Sequence, residues 1–370
     1  MIRKIYCDNS ATTKVYPEVI REINKYLKME WGNPSSIYCR GRNAKIAIED
    51  ARERIAKILN CLPEEIYFTS GGSESDNIVI KGLAKKDKIM IVSEFEHPAI
   101  LNACKRLEED GYKIVYMKKT DDFWNIDEKK NINLISFMLV NNETGTIFPI
   151  NEFKEYKKSF IVHTDAVQAV GKIELDVKKL GVDAMSLSGH KFGAPKGIGV
   201  LYLRKGIECK PLIDGGGQEN GLRSGTENVP YIMGIAKALE ITYKNFEKKN
   251  KKMKEFDEYF IKQLQLNIPE VQLNHFGERC SGVINLRFDG IDAQNLLLYL
   301  DRYGIYVSAG SACHSDSNTP SHVLKAFGLT DEEALSSLRF SFKKPLSRRQ
   351  VKRLIKVLKQ GIALQKQLTT

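Results

Sequence analysis

Five apolar segments typical of β-strands are each followed by residues that could contact a ligand. Ligands of open α/β sheets bind beyond the carboxyl ends of the strands. One such strand end would occur by chance, but five together indicate a site. These ends carry Ser70–Ser73 after EIYFT, His97 after KIMIVSEFE, Asn141, Asn142 and Glu143 after LISFMLV, Asp165 and Gln168 after FIVHT, and Ser188, His190 and Lys191 after DAMSL.

The chemistry of these residues predicts a phosphorylated, aldehyde-bearing pyridine. The segment Ser70–Ser73 offers N–H groups and hydroxyls at a helix N-terminus, which suits a phosphate. Asp165 could pair with a protonated ring nitrogen, His97 could stack on a flat ring, and Lys191 could form a Schiff base. Taken singly, Lys191 also fits an exposed loop and Asp165 a helix cap. Together the residues predict pyridoxal 5′-phosphate (PLP) as the cofactor.

Alternating strands and helices must position these groups. Seven strand candidates lie between residues 65 and 203, and several are continuous apolar runs, as in sheets covered on both faces. We therefore predict an α/β fold, with a large domain built on a mostly parallel seven-stranded sheet. A helical pattern runs from Tyr231 to about Gln265, and a smaller α+β domain follows. We expect residues 15–255 to form the large domain and residues 1–14 with 256–370 the small one.

The positive charge of the chain is concentrated at its C-terminal end. The net charge is +11, yet residues 334–370 contain ten Lys or Arg and no Asp or Glu. Val351, Leu354, Ile355 and Leu358 there follow the spacing of an amphipathic helix. This pattern favours a surface helix with a solvated basic face. The alternative is a docking surface for an acidic protein partner or for RNA.

Composition narrows the class of protein further. Hydrophobic residues make up 42% of the chain, without an apolar run of the ~20 residues that span a membrane. We expect a cytoplasmic protein that has no signal peptide and does not contact membranes. The seven cysteines are odd in number, with no Cys-x-x-Cys pair. A disulfide framework or structural zinc site is therefore not expected, and we predict no bound metal.

Dense motifs give the chain a family resemblance over nearly its whole length. They are GNPSSIYCRGRNA, FTSGGSESDN, SEFEHPA, VNNETGTIFPI, HTDAVQAVGK, SLSGHKFGAPKGIGVLYL, GGGQENGLRSGTENVP and SAGSACHS. In these motifs the chain resembles the class-V aminotransferase family and, within it, the cysteine desulfurases. The resemblance implies the PLP-dependent transferase fold of aspartate aminotransferase-like enzymes (fold type I) and a homodimer. It also implies conversion of L-cysteine to L-alanine, with the sulfur left on the enzyme as a persulfide.

The same resemblance implies a role for individual residues. Lys191 would form the Schiff base, and His97 would stack on the ring and carry protons. Asn142 and Arg339 would hold the substrate carboxylate, for which a guanidinium is suited. The remaining cofactor contacts would be Asp165 to the ring nitrogen, Gln168 to the ring hydroxyl, Asn142 to the cofactor, Gly72, Ser73, Ser188 and His190 to the phosphate, and Thr226 to the phosphate in the neighbouring subunit.

Cys313, in SAGSACHSDSN, is the expected nucleophile. Taken alone it would be an ordinary loop cysteine. Beside a PLP site and in a motif resembling the family's, it is predicted to attack the substrate sulfur as a thiolate, with His314 adjacent. A selenocysteine lyase or another class-V PLP enzyme is the alternative, and neither would need this thiol. A further alternative is a noncatalytic scaffold protein that keeps the fold.

Two departures from the family pattern bear on these expectations. Ser73 stands where the family commonly has threonine, which keeps the hydroxyl. After Arg339 the chain reads SFKKPLSRRQ, where the family usually has glycine and acidic residues, so the sulfur acceptor is left open. An iron–sulfur scaffold protein or a tRNA-thiolation enzyme would serve as acceptor. We do not expect the chain itself to bind nucleic acid directly.

Overall fold

The computed structural model describes residues 4–117, 131–156, 160–310 and 319–369. The chain forms two compact units. The larger unit comprises Thr13–Leu139 and Phe148–Lys244, and the smaller unit comprises Met1–Thr12, Val140–Ile147 and Asn245–Thr370. Cys313, the expected nucleophile, lies outside the described residues.

A seven-stranded sheet forms the centre of the larger unit. The four pairings among β3, β4, β5, β6 and β7 are parallel, whereas β8 is antiparallel to both β7 and β2. This arrangement confirms the predicted α/β fold with a mostly parallel sheet. In spatial order the strands are β2 (Ile66–Thr69), β8 (Gly199–Leu203), β7 (Ala184–Ser188), β6 (Ile161–Asp165), β5 (Ile132–Ser136), β3 (Ile89–Ser93) and β4 (Lys113–Met117).

Helices that follow the strands begin where the predicted site residues lie. Helix α3 follows β2 and α4 follows β3, so both N-termini open at carboxyl ends of strands. Pro98 occupies the first turn of α4, where its missing N–H costs nothing. The helices of this unit are α1 (Pro17–Lys28), α2 (Cys39–Leu59), α3 (Gly72–Gly82), α4 (Pro98–Glu109), α5 (Val177–Leu180) and α6 (Val229–Tyr243), with 3-10 turns at Pro63–Glu65, Ile150–Tyr156, Gly189–Lys191 and Glu219–Gly221.

The helical stretch expected from Tyr231 to about Gln265 is two helices rather than one. Helix α6 ends at Tyr243, and α7 spans Phe246–Asn267. Between them Asn245 has a φ of 59°, in the left-handed region. Asparagine tolerates this conformation better than most residues, so the chain can turn here although its apolar periodicity continues.

The smaller unit is an antiparallel sheet covered by helices. Its strands pair in the order β12-β10-β9, and β1 pairs with β11 in parallel. The apolar residues predicted for the tail helix, Val351, Leu354, Ile355 and Leu358, are all buried, which confirms an amphipathic helix. No helix within the described ranges is both long and apolar enough to cross a membrane. The elements are β1 (Ile5–Tyr6), β9 (Gln272–Leu273), β10 (Val283–Arg287), α8 (Ala293–Arg302), β11 (Ile305–Tyr306), α9 (His322–Ala326), α10 (Asp331–Leu335), β12 (Ser337–Ser341) and α11 (Arg348–Thr369).

Candidate active site

Asp165 and Lys191 lie near each other at the carboxyl ends of β6 and β7. The Asp165 side chain is buried, and its Oδ1 accepts a hydrogen bond from the Val167 N–H at 2.8 Å. Burial raises the pKa of Asp165 to about 6, while the Val167 N–H and the positive charge of Lys191 act in the opposite direction. The structure therefore brings together the two residues predicted to bind the ring nitrogen and the aldehyde.

The backbone before Lys191 is fixed by hydrogen bonds, and the backbone after it turns at a glycine. Lys191 ends a 3-10 turn directly after β7, and its side chain is half-buried. The preceding carbonyl, of His190, accepts hydrogen bonds from both the N–H and the hydroxyl of Thr13 at 2.8 Å. Gly193 has a φ of 102°, a conformation that other residues rarely adopt. This glycine lets the chain turn away immediately after the lysine.

The N-terminus of α3 forms a narrow cradle against β7. Its first N–H groups have no partner within the helix. A Cβ at Gly72 would stand 2.8 Å from Val167 Cγ2 and 3.5 Å from Ser188 Cβ, and one at Gly71 would stand 3.9 Å from Ser188 Oγ. A Cβ at Gly72 would crowd Val167, so glycine there keeps this space open beside the Ser188 hydroxyl. Ser73, in the first turn of α3, is exposed and can turn its hydroxyl toward the same space.

His190 is a neutral imidazole and Gln168 is an oriented amide, so both can form hydrogen bonds without carrying a charge. Burial and the nearby positive charges of Lys191 and Lys196 lower the pKa of His190 to about 4, so its imidazole is neutral at pH 7. Gln168 is buried, and its Oε1 accepts a hydrogen bond from Lys172 Nζ at 2.9 Å. This contact fixes the amide so that its NH₂ group faces the other way.

His97 is oriented by the helix that it caps. Its Nδ1 accepts a hydrogen bond from the Ala99 N–H at 3.1 Å, which places the hydrogen of the neutral ring on Nε2. Asn77 Nδ2 donates to the carbonyls of Ser73 (2.9 Å) and Ala99 (3.1 Å), and so joins the first turns of α3 and α4. Ser73 and His97 consequently line one open groove.

The donor set in the larger unit fits PLP. A buried carboxylate, a lysine amine, a glycine cradle with hydroxyl groups and a neutral imidazole match its ring nitrogen, aldehyde and phosphate. Thr226, by contrast, is exposed in the loop before α6. Within the described ranges, no cluster of three or more His, Cys, Asp or Glu could hold a metal.

Arg339, in β12 of the smaller unit, is a buried cation that is hydrogen-bonded through two of its three guanidinium nitrogens. Its side chain is 2% exposed. Nη2 donates to Asp8 Oδ1 at 2.8 Å and Nη1 to the carbonyl of Asn142 at 3.0 Å. Within the described part of the chain, Nε has no hydrogen-bond partner. The structure thus brings together the two residues predicted to bind a carboxylate, Asn142 and Arg339.

Sequence reasoning missed four charged or titratable residues close to these groups. Asp8 follows the short strand β1 and the buried Cys7, a signal similar to that used for Asp165. His163 lies in β6 two residues before Asp165, so both side chains face the same side of the sheet. Asp76 and Glu96 gave little signal, because a carboxylate in a helix or turn is normally solvated.

Comparisons with known proteins give matches that cover almost the whole chain. The family model described as "Aminotransferase class-V" matches residues 5–354. A protein of Clostridium botulinum named "Cysteine desulfurase IscS" is 43% identical over 356 residues, which cover 92% of this chain and 90% of the relative. A protein of the same name from Methanosarcina thermophila is 44% identical over 370 residues, covering 96% and 91%.

Solved structures resemble the chain over almost its full length. A structure described as "NIFS-LIKE PROTEIN" matches with a TM-score of 0.90 and 34% identity, covering 98% of this chain and 100% of the other. A second, described as "SspA in complex with cysteine", matches with a TM-score of 0.81 and 34% identity, covering 93% and 100%.

Proposed function

Since the chain belongs to the class-V aminotransferase family and, within it, to the cysteine desulfurases, we propose how its own residues carry out that reaction. The chain is a PLP-dependent cysteine desulfurase, which converts L-cysteine to L-alanine and passes the sulfur on. The alternative of a selenocysteine lyase is not favoured, because these relatives are named for desulfuration of cysteine.

The buried carboxylate of Asp165 is the observation that carries the proposed cofactor site. An ionised carboxylate at this depth is costly unless a cation or hydrogen-bond donors compensate it. The N–H of a protonated pyridine ring supplies both. When bound, PLP acts as an electron sink for the electron pair that the Cα–H bond of the substrate leaves behind.

The remaining cofactor contacts come from residues around that carboxylate. Lys191 would hold the cofactor covalently, and the His97 ring would pack against it. The neutral NH₂ group of Gln168 donates to the ring hydroxyl. The phosphate is bound by the Gly72 N–H, the hydroxyls of Ser73 and Ser188 and the neutral ring of His190, and in a homodimer by Thr226 of the neighbouring subunit.

Proton transfers belong to Lys191 and His97. As a free amine, Lys191 Nζ would take the proton from the substrate Cα. His97 presents Nε2 because Nδ1 is occupied by the Ala99 N–H, so protons enter and leave this ring at one defined atom. The lysine therefore acts at Cα, and the histidine carries the protons that accompany release of sulfur.

The smaller unit binds the substrate by its carboxylate. Arg339 offers the unpartnered Nε and the remaining Nη hydrogens, which can donate two parallel hydrogen bonds. Asp8 holds one end of the guanidinium and Asn142 the other, so the side chain needs no reorientation when the substrate arrives. Asn142 completes the carboxylate site with its amide.

Cys313 receives the sulfur, a role that rests on its motif because the residue lies outside the described ranges. Its thiolate attacks the substrate sulfur, an S–S bond forms, and the C–S bond breaks with its electron pair left on carbon. Protonation of that carbon and return of a proton to Cα would yield alanine, and Cys313 would keep the sulfur as a persulfide. We place the enzyme in the cytoplasm, where an iron–sulfur scaffold or a tRNA-thiolation enzyme accepts the sulfur.

Turnover of L-cysteine by matched variants tests this mechanism. Alanine and sulfide release are measured in the presence of a reductant for the wild type, Cys313→Ala and Cys39→Ala. Cys39 is an exposed thiol outside the proposed site and serves as the control. We expect Cys39→Ala to match the wild type and Cys313→Ala to lose both products, while it still binds PLP.

Other outcomes would redirect the proposal. Equal activity of Cys313→Ala and the wild type would rule out the persulfide on this cysteine. Turnover of selenocysteine but not of cysteine by both proteins would establish the lyase instead. If PLP were still covalently attached to a Lys191→Ala variant after reduction with borohydride, the covalent role of the lysine would be contradicted.

A further inference from the structure

A chain of buried polar side chains runs beneath the proposed ring site. His163 on β6 is fully buried between two serines. Its Nδ1 lies 2.8 Å from Ser136 Oγ on β5, and its Nε2 lies 3.0 Å from Ser186 Oγ on β7. Ser186 is also hydrogen-bonded to Asp76, on the buried face of α3. Asp76, Ser186, His163 and Ser136 therefore form one connected chain, which we call the buried relay.

The buried relay provides no positive charge for Asp76. Burial lowers the pKa of His163 to about 3, so its imidazole is neutral at pH 7. His163 Nε2 and Asp76 Oδ1 are 3.8 Å apart, beyond hydrogen-bonding distance. Within the described ranges Asp76 Oδ1 has no hydrogen-bond partner at all. An ionised Asp76 would thus be a buried anion with an unpartnered oxygen, which is strongly unfavourable.

The surrounding carboxyl groups add to that penalty. Burial, followed by the negative charge of Asp165, raises the pKa of Asp76 well above its usual range. The hydrogen bond from Ser186 lowers this pKa, and the negative charge of Glu96 raises it further. Glu96 is itself fully buried, with Oε1 accepting from Ser93 Oγ (2.7 Å) and the Met138 N–H (2.6 Å). Burial and Asp165 raise its pKa as well.

Asp165 is the carboxyl of these three that the structure equips to carry charge. Glu96 also accepts hydrogen bonds, but of the three pKa values only that of Asp165 is lowered by the positive charge of Lys191, in addition to the Val167 N–H. Asp165 and Ser186 are directly opposite each other on the neighbouring strands β6 and β7. The buried relay consequently passes immediately beside the carboxylate that would contact the ring nitrogen.

We propose that Asp76 is a positioning residue of this enzyme: a neutral carboxylic acid, held by the Ser186–His163–Ser136 chain, that leaves Asp165 as the single anion facing the ring nitrogen. This inference rests on the proposed placement of the cofactor ring beside Asp165. A second anion at Asp76 would draw part of the ring's positive charge away from that contact. The neutral acid keeps Ser186 and His163 hydrogen-bonded without adding charge.

Infrared difference spectroscopy of the holoenzyme tests the charge state directly. The carbonyl stretch of a protonated carboxylic acid is separate from the bands of a carboxylate. At pH 8 we expect the wild type to show this acid band. In Asp76→Asn the band should lose the intensity that one carboxylic acid contributes. Asp176→Asn is the matched control. The Asp176 carboxylate caps α5 through the Lys178 and Lys179 N–H groups, and its removal should leave the acid band unchanged. An unchanged acid band in Asp76→Asn would overturn the proposal.

The pH titration of the bound cofactor's visible absorption tests the positioning role. Asparagine resembles the neutral acid, so Asp76→Asn should titrate with the wild type. Asp76→Leu leaves the relay without its acid, and we expect PLP to bind about tenfold more weakly, as when a group that orients a ligand-binding residue is lost. A titration shifted by a pH unit or more in Asp76→Asn would show that Asp76 was an anion. PLP affinity in Asp76→Leu equal to that of the wild type would remove its positioning role.

These readouts separate the inference from the proposed reaction. Neither requires turnover, so inactivity of the enzyme on cysteine would leave them intact. Conversely, failure of PLP to bind the wild type would refute the proposed cofactor site before Asp76 is considered. Circular dichroism of Asp76→Leu identifies a folding defect, and in that case the infrared comparison, which uses the isosteric Asn variant, still decides the proposal.

Discussion

The neutral acid at Asp76 has a consequence for stability that can be worked out quantitatively. In an unfolded chain an aspartate titrates near a pKa of about 3.9. Burial and the charge of Asp165 raise the pKa of Asp76 in the folded protein well above that value. Between the two values the folded protein holds a proton that the unfolded chain has released. Raising the pH therefore favours unfolding, by about 1.4 kcal/mol per pH unit.

Asp76→Asn removes this dependence, since asparagine does not titrate. The stability of the variant minus that of the wild type should therefore rise with pH, by about 1.4 kcal/mol per unit for as long as the folded wild type keeps the Asp76 proton. Urea unfolding of each protein at several pH values, followed by circular dichroism, measures this difference.

Asp176→Asn supplies a control of the opposite kind. Burial raises the pKa of Asp176, but the Lys179 and Lys178 N–H groups and the Asn60 side chain outweigh it, and the net pKa is lowered. Asp176 is then ionised in both states above pH 5, so its variant should differ from the wild type by a constant amount between pH 5 and 7. If the Asp76→Asn difference were equally constant, Asp76 would not be a neutral acid and the reasoning would fail.

The other proposed contacts predict separate outcomes. Asp165→Asn should weaken PLP binding about 10- to 100-fold, the value of one hydrogen bond to a charged group, as measured by titration of the apoenzyme with PLP. PLP binding to the wild type should weaken below pH about 6, where Asp165 must first lose a proton, and Asp165→Asn should lack this dependence; a persistent dependence would assign it to another group. Asp8→Ala leaves the buried Arg339 guanidinium without its carboxylate and should lower the free energy of unfolding by about 3 kcal/mol in urea, whereas a loss below about 1 kcal/mol would show that solvent compensates the charge.

The fold and most of the proposed cofactor contacts could be predicted because their signals are local. Strands buried on both faces are continuous apolar runs, and β5, β7 and β8 are buried at every position. Asp165 and Lys191 come directly after such runs, so their position at the carboxyl edge of the sheet followed from the strands. The glycine requirement at Gly72 also follows from its place between a strand and a helix.

Other features depend on contacts between distant parts of the chain. The break at Asn245 was missed because the apolar periodicity of α6 and α7 continues across it. The pairing of Asp8 with Arg339 joins residues that are 331 positions apart, which no local pattern reveals. Asp76 follows charged and polar neighbours in SESDN and resembles a solvated helix residue until the packing of α3 against β6 and β7 is known.

The same packing explains why the buried relay is costly and why that cost indicates function. Burying Asp76 and Glu96 beside Asp165 lowers stability, since each carboxyl would prefer to ionise in water. Apolar side chains of similar volume would fill these positions without that penalty. Groups that destabilise a fold in this way concentrate at functional sites. Three buried carboxyl groups beside one strand end, with a single one equipped to ionise, thus match an enzyme that must present one defined negative charge to its cofactor.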